Sequence, residues 1–440
     1  MKKNYLLLLT LAFIIQGCIT IDTAFEGLPP GQWRAVLKLD NRPKVSNKKG
    51  EPLPELMGLK FEEVSQGELP FTFEVVHTSP KDFHINIING DERIRVDDIT
   101  IGLDRQTAKD TVIINFPLYD SYIKAIFEER VMEGDWIVTN RGEYYSIPFE
   151  AHHGRNHRFS TLKKTPKIDV SGKWEVTFSP TEDPEKAIGE FVQEGNKVTG
   201  TFLTETGDYR FLEGEIQANK LYLSVFDGAH AFLFEAKILE DETMIGSFRS
   251  GKHYRVLWEA KRNENVKLTS ANELTFLNEG YDKVEFEFEN PEGKMISLND
   301  ERYKGKNKIV QIFGTWCPNC RDETDFLLDY LKRKNPKNLE VIALAFEKHK
   351  EKEKAMATIK RYRDKLEAPY EMVWAGPSNK KEAAKSLPML NHILSYPTMI
   401  FIDKNDKVRK IHTGFSGPAT SEFPAYKKEF EAFMEELLNE

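Results

Sequence analysis

Lys308-Ile309-Val310-Gln311-Ile312-Phe313-Gly314-Thr315-Trp316-Cys317-Pro318-Asn319-Cys320 decides the reading of the C-terminal third. The run from Lys308 to Phe313 is apolar and rich in β-branched residues, the pattern of a buried strand. Phe326, Leu327, Tyr330 and Leu331 then recur at helical spacing, which predicts a helix running out of the cysteine motif. A helix N-terminus carries partial positive charge and free N–H groups, and both stabilise a thiolate. Cys317, at the start of that helix, is therefore expected below the ordinary thiol pKa. Cys320, one turn in, is expected to be shielded and to resolve a mixed disulfide formed at Cys317. Pro318 suits the first turn, where its missing N–H would be unpaired anyway. Glu323 falls on the same helix face as Cys320 and is expected to accept or relay the resolving proton.

Around this motif the chain alternates strands and helices. Leu339 to Phe346 reads as a second buried strand, followed by a charged helix to about Leu366. The run Glu347 to Lys354 reads as its solvated start. Thr398 to Ile402 predicts a strand, Asp403 to Asp406 a turn, Val408 to Ile411 a hairpin partner, and Tyr426 to Leu438 a closing amphipathic helix. Such an order defines an α/β layered domain. Tyr396-Pro397-Thr398, a proline directly before a strand, is a candidate cis-proline loop.

The N-terminal half is different. From Gln32 to about Arg262, short alternating runs such as Phe83-His84-Ile85-Asn86-Ile87 and Tyr254-Arg255-Val256-Leu257-Trp258 are separated by Gly, Asn and Asp turns. The pattern predicts an all-β region, a duplicated meander forming a barrel or a sandwich. Gly31-Gln32-Trp33 is echoed by Gly172-Lys173-Trp174, and Gly90-Asp91-Glu92-Arg93 by Gly207-Asp208-Tyr209-Arg210. Met132-Glu133-Gly134 is echoed by Met244-Ile245-Gly246, and Phe149-Glu150-Ala151 by Trp258-Glu259-Ala260. The marks keep their order, so two related β-modules are expected, the first with an insertion near Pro43 to Pro70. Trp33 and Trp174 read as core anchors of paired strands. His152, His153 and His157 read as a solvated loop in preference to a metal site. The resulting division is 1–17 a signal segment, 18–30 a tether, 31–168 and 169–265 the β-modules, and 266–440 the α/β domain.

Lys2 and Lys3, the apolar run Leu6 to Ile15, and Ile15-Gln16-Gly17-Cys18 have the form of an export signal ending at a cysteine. The apolar run is shorter than the roughly 20 residues a spanning helix needs. The segment resembles bacterial lipoprotein signals, which implies acylation of Cys18 and membrane attachment. Of the 3 cysteines, Cys18 is then committed to lipid and only Cys317 and Cys320 remain for redox work. A single cysteine pair, with no knuckle-spaced histidine near it, is too few ligands for a zinc site, and no metal is expected. The net charge of −8 and the absence of a basic tract exclude nucleic acid as a partner.

Residues from about Phe286 onward resemble the TlpA/ResA-like group of membrane-anchored thioredoxins. The resemblance rests on Glu292-Gly293-Lys294-Met295-Ile296-Ser297-Leu298, the strand ending Phe313-Gly314-Thr315-Trp316-Cys317, Glu323, and Tyr396-Pro397-Thr398. It implies a thioredoxin fold with Cys317 attacking, Cys320 resolving, Trp316 beside them and Pro397 in cis. Trp316, Pro318, Tyr396, Pro397 and Thr398 are then the expected substrate-binding positions. Two departures stand out. Gln311 occupies a position held by a titrating aspartate in cytosolic thioredoxins, so that role is absent or falls to Glu323. Pro318-Asn319 matches neither the Gly-Pro of thioredoxin nor the Pro-His of strong oxidants. Peroxidatic relatives carry threonine and proline where this chain has Gly314 and Val310, which argues against peroxide chemistry.

The expected function is membrane-anchored thiol–disulfide oxidoreduction facing the periplasm, with disulfide-containing envelope proteins as clients and a membrane thiol protein as electron donor. No dissociable cofactor is expected; the redox group is the Cys317–Cys320 pair. The alternatives are an oxidase or isomerase using the same site, and a ligand-binding lipoprotein whose thioredoxin domain is accessory.

Overall fold

The computed structural model describes residues 25–39, 67–142 and 144–440. The expected signal segment, Cys18 and most of the expected insertion lie outside the described residues.

The first module comprises β1 (Gly31–Lys38), β2 (Glu68–His77), β3 (Phe83–Asn89), β4 (Glu92–Val96), β5 (Ile99–Asp104), β6 (Lys109–Phe116), β7 (Ser121–Glu128), β8 (Val131–Val138) and β9 (Ser146–His153). They form one nine-stranded sheet in the order β4-β3-β2-β1-β9-β8-β7-β6-β5. The expected insertion ends earlier than Pro70: Glu68-Leu69-Pro70 opens β2 and pairs with Val36 to Lys38.

The second module comprises β10 (Gly172–Phe178), β11 (Glu185–Glu194), β12 (Lys197–Thr204), β13 (Gly207–Asp208), β14 (Leu212–Gln217), β15 (Lys220–Phe226), β16 (Ala231–Ile238), β17 (Met244–Ser250) and β18 (Tyr254–Arg262). Here β10 pairs with both β11 and β18, and β11 also pairs with β12, so the sheet closes into a barrel. Closure removes the unpaired edges that an open sheet must protect. Phe178, Phe202, Phe234, Phe248 and Trp258 fill the interior; the Phe202 and Phe234 rings stack at 4.5 Å.

The two modules share more than composition. Trp33 and Trp174 are both fully buried, and each indole N–H donates to the carbonyl four residues earlier, of Pro29 at 3.1 Å and Val170 at 2.9 Å. Ala35 lies opposite Ala151 in the first sheet, as Val176 lies opposite Ala260 in the barrel. Met132 faces Ala151 as Met244 faces Ala260. Glycine is required at Gly134 and Gly246, because a Cβ would fall 2.0 Å from the Lys124 carbonyl oxygen and 2.4 Å from that of Glu235.

The first sheet packs against the outside of the barrel. Along β15, Leu221, Leu223 and Val225 join the barrel core, whereas Tyr222 and Phe226 join the core of the first sheet. A strand buried on both faces loses the polar alternation of a half-exposed one. Phe226 stacks on Phe71 at 4.4 Å and meets Trp136 edge-on at 5.2 Å. Buried Arg158 stitches the seam, donating to Asn89 Oδ1, Ser224 O and Glu213 Oε2.

The C-terminal domain comprises β19 (Glu287–Glu289), β20 (Met295–Ser297), β21 (Asn307–Phe313), α1 (Pro318–Lys334), β22 (Leu339–Glu347), α2 (Lys352–Lys365), β23 (Glu371–Pro377), α3 (Lys380–Ser386), β24 (Thr398–Ile402), β25 (Val408–Thr413) and α4 (Phe423–Asn439). The sheet order is β20-β19-β23-β22-β21-β24-β25, with β21 and β23 parallel to β22 and β24 antiparallel to β21. This is the thioredoxin-like arrangement. Two expectations need correcting. Glu347 ends β22, and α2 starts only at Lys352. His152 and His153 end strand β9, where their side chains bond Glu150 and the Pro30 carbonyl; they do not form a loop with His157.

Phe226→Ala removes the ring that joins the two β-modules and is expected to cost about 3–5 kcal/mol. Denaturant unfolding followed by circular dichroism checks this; a loss under about 1 kcal/mol would contradict the packing described.

Candidate active site

The end of β21 delivers Gly314-Thr315-Trp316 to the N-terminus of α1, and Cys317 is the residue that caps it. Cys317 adopts extended backbone geometry, and its sulfur accepts the Cys320 backbone N–H at 3.3 Å. Thus a sulfur replaces the side-chain oxygen that usually satisfies a helix's first N–H groups. Pro318 follows at the first helical position. Both cysteines are buried and in the free thiol form; Cys317 is 8% exposed and Cys320 fully enclosed.

The environment separates the two thiols. Burial raises the Cys317 pKa, but the Cys320 thiol and backbone N–H, followed by the Lys348 ammonium, outweigh it and hold Cys317 below the ordinary thiol value. Burial, the bond its thiol donates to Cys317 and that residue's charge push Cys320 well above it. Proton loss therefore falls to Cys317, the sulfur nearer the surface.

Glu323 is fully buried one turn beyond Cys320. Burial drives its carboxyl well above the usual range, opposed by the Gln311 amide, which donates to Oε2 at 2.8 Å. Its other oxygen, Oε1, has no hydrogen-bond partner among the described residues. Gln311, from β21, is thus the neighbour that holds this acid in place. Thr324 Oγ1 donates to the Cys320 carbonyl and accepts from the Tyr362 hydroxyl.

The Tyr396–Pro397 peptide bond is cis. It places the Tyr396 carbonyl 3.4 Å from the Cys317 sulfur, which donates to it. Thr398 Oγ1 donates to the Ser395 carbonyl and fixes the loop from below. Trp316 meets the Tyr396 ring edge-on at 5.8 Å, and its indole N–H donates to the Phe346 carbonyl. Hence Trp316, Cys317, Pro318, Cys320, Glu323, Tyr396, Pro397 and Thr398 are gathered in one place; Cys18 lies outside the described residues.

Two participants were missed in the sequence. Glu347 is buried, and its carboxylate accepts the Thr315 N–H at 3.0 Å and the Thr315 hydroxyl at 2.8 Å, clamping the loop before Cys317. Burial lifts its pKa to about 7 against those two bonds. Lys348 lies over the Trp316 ring at 4.3 Å, a cation–π contact beside the thiol. Burial and Arg141 lower its pKa to about 8. The signal available was position, since Glu347 is the last residue of a buried strand and Lys348 directly follows it. Among the described residues no group of three or more His, Cys, Asp or Glu side chains is arranged to hold a metal ion.

A thioredoxin-like domain with a helix-capping Cys-x-x-Cys beside a cis-proline loop defines the class: a thioredoxin-family thiol–disulfide oxidoreductase. Residues 280–411 match the AhpC/TSA family model. The chain is 25% identical over 150 residues to the thioredoxin-like protein YneN of Bacillus subtilis, covering 34% of this chain and 80% of that protein. It is 32% identical over 68 residues to the B. subtilis thiol-disulfide oxidoreductase ResA, covering 16% of this chain and 37% of ResA. A thioredoxin-family thiol:disulfide interchange protein from Chlorobium tepidum aligns at 22% identity and a TM-score of 0.28, over 36% of this chain and 95% of its own.

Lys348→Met is expected to raise the pH midpoint of Cys317 alkylation by up to about one unit, since a cation facing the thiolate is lost. The rate of iodoacetamide labelling against pH measures it; an unmoved or lowered midpoint would remove Lys348 from the account.

Proposed function

We propose that this chain is a lipid-anchored, periplasm-facing reductase that uses its Cys-Pro-Asn-Cys dithiol to reduce disulfides in envelope client proteins. The observation that carries the reading is Cys317 capping α1, with its sulfur 3.3 Å from the Cys320 N–H and Cys320 enclosed behind it.

The exchange follows from these positions. The Cys317 thiolate attacks one sulfur of the client disulfide, forming a mixed disulfide and releasing the other client sulfur as a thiolate, which takes up a proton. Cys320 gives its proton to the Glu323 carboxylate and attacks the Cys317 sulfur, releasing the second client thiolate. Glu323 returns the proton to it. Two electrons and two protons pass to the client, and the Cys317–Cys320 disulfide remains. Glu323 suits this role because burial brings its pKa up towards that of a thiol. Trp316, Pro318, Tyr396, Pro397 and Thr398 form the surface on which the client segment lies, the Tyr396–Pro397 backbone alongside it.

The oxidised pair must then be recharged, and we assign that to a membrane thiol protein, because the envelope has no soluble thiol buffer to do it. Attachment through Cys18 would keep the domain beside such a donor. Among the described residues no helix is long and apolar enough to cross a membrane. An oxidase or isomerase would use the same side chains and differ only in potential. The reading of the β half as a ligand-binding centre is weakened by the aromatic packing of the barrel interior.

Cys320→Ser is expected to accumulate a mixed disulfide with client protein, and Cys317→Ser to form none; non-reducing electrophoresis distinguishes them, and equal trapping by both would refute the assignment. Glu323→Gln is expected to slow the resolving step by about 10–100-fold while leaving the first attack within about twofold. Single-turnover kinetics separate the two steps, and an unchanged resolving rate would take the proton role from Glu323.

A further inference from the structure

The dithiol does not face open solvent on all sides. The end of β12, the following turn and β13 bring Glu205, Thr206, Gly207 and Asp208 of the barrel against the active-site loops. Asn319, between the two cysteines, donates its side-chain N–H to the Asp208 carbonyl at 3.0 Å. Ser395, next to the cis-proline pair, donates its hydroxyl to the Thr206 carbonyl at 2.7 Å. Gly417 donates its backbone N–H to Asp208 Oδ2 at 2.7 Å. The approach is close enough to demand glycine at Gly207: its φ is +138°, and a Cβ there would stand 2.4 Å from Asn319 Nδ2. Next in the chain, buried Arg210 pairs with Asp322 on α1 and with Glu92 of the first sheet, which fixes the segment from behind.

We propose that the barrel segment Glu205–Asp208 is a specificity-determining wall of the dithiol site, admitting disulfides on small or extended carriers and excluding those held on the surface of a folded domain. The inference rests on the dithiol reading above. Thiol–disulfide exchange needs the incoming sulfur to reach Cys317 in contact, and Cys317 is only 8% exposed. Trp316, with Lys348 over its ring, and Tyr396, whose carbonyl accepts from Cys317, form one group around that approach. The barrel segment, bonded to Asn319 and Ser395, forms a second. An extended chain fits between two such groups, but a globular client collides with the barrel before its sulfur arrives. The wall is held at Thr206 by Ser395 and at its C-terminal end by Asp208 to Gly417 and Arg210 to Asp322, so it acts by position and needs no opening step.

The test uses the full chain, pre-reduced, in single-turnover reduction of two probes: a short cyclic-disulfide peptide, and insulin. Two variants loosen the wall, Asp208→Ala combined with Ser395→Ala, and Gly207→Val as a wedge against Asn319. In either, the insulin rate is expected to rise at least tenfold while the peptide rate stays within twofold of wild type. If the ratio of the two rates stays within twofold of wild type in both variants, the wall proposal fails and the dithiol reading stands. If the wild-type chain reduces neither probe, the dithiol reading fails and the wall falls with it.

Discussion

A buried guanidinium cannot be left without counter-charges, and Arg210 takes its counter-charges from three parts of the chain. It pairs with Glu92 at 2.7 Å in the first sheet, with Asp227 at 3.7 Å in the barrel and with Asp322 on the reactive helix. Removing Arg210 would leave these carboxylates without their counter-charge in a low-dielectric site, at a cost of about 3–5 kcal/mol. The β half and the redox helix are therefore joined by an electrostatic requirement in addition to packing. Asp120 adds a second tie, with His349 at 2.9 Å and Arg361 at 2.5 Å. Leu118 even enters the core of the thioredoxin-like domain. The N-terminal half is thus placed to shape access to the thiols.

Within the site, one physical difference does most of the sorting. Both sulfurs are buried, so desolvation raises both; Cys317 caps the helix, accepts the Cys320 thiol and N–H and faces Lys348, whereas Cys320 is pushed further up by its bond to Cys317 and that residue's charge. That asymmetry divides attacking from resolving thiol without any change of residue type. The same logic applies to the two buried carboxyls. Glu347 has both oxygens occupied by Thr315 and acts on the loop's geometry, whereas Glu323 keeps one oxygen without a partner beside Cys320 and is free to carry a proton.

The parts of this structure legible in the sequence were those with local causes. The strand before Cys317, the helix after it, the cis-proline loop and the hairpin beyond Thr398 all follow from apolar period, proline and turn residues. The duplication was legible because Trp33 and Trp174 must be buried in equivalent strands, and their registers agree. Barrel closure was not legible, since the choice between closing β10 on β18 and leaving an open sheet is decided by non-local pairing. Glu347 and Lys348 misled for a related reason. Their charges resemble a solvated run, yet the strand carries Glu347 inside to Thr315, and half-buried Lys348 just beyond it lies over the Trp316 ring. Strand β23 and helix α3 lack a strong period and went unexpected, as did the contact of Asp208 with Asn319, which joins residues more than a hundred positions apart.

The most direct test of the central claim is the equilibrium reduction potential of the Cys317–Cys320 pair in the full chain, set against glutathione or dithiothreitol buffers. The account predicts a reversible two-electron couple near or below that of thioredoxin, about −270 mV. A potential near −120 mV, the range of a strong oxidant, or the absence of any such couple, would contradict it.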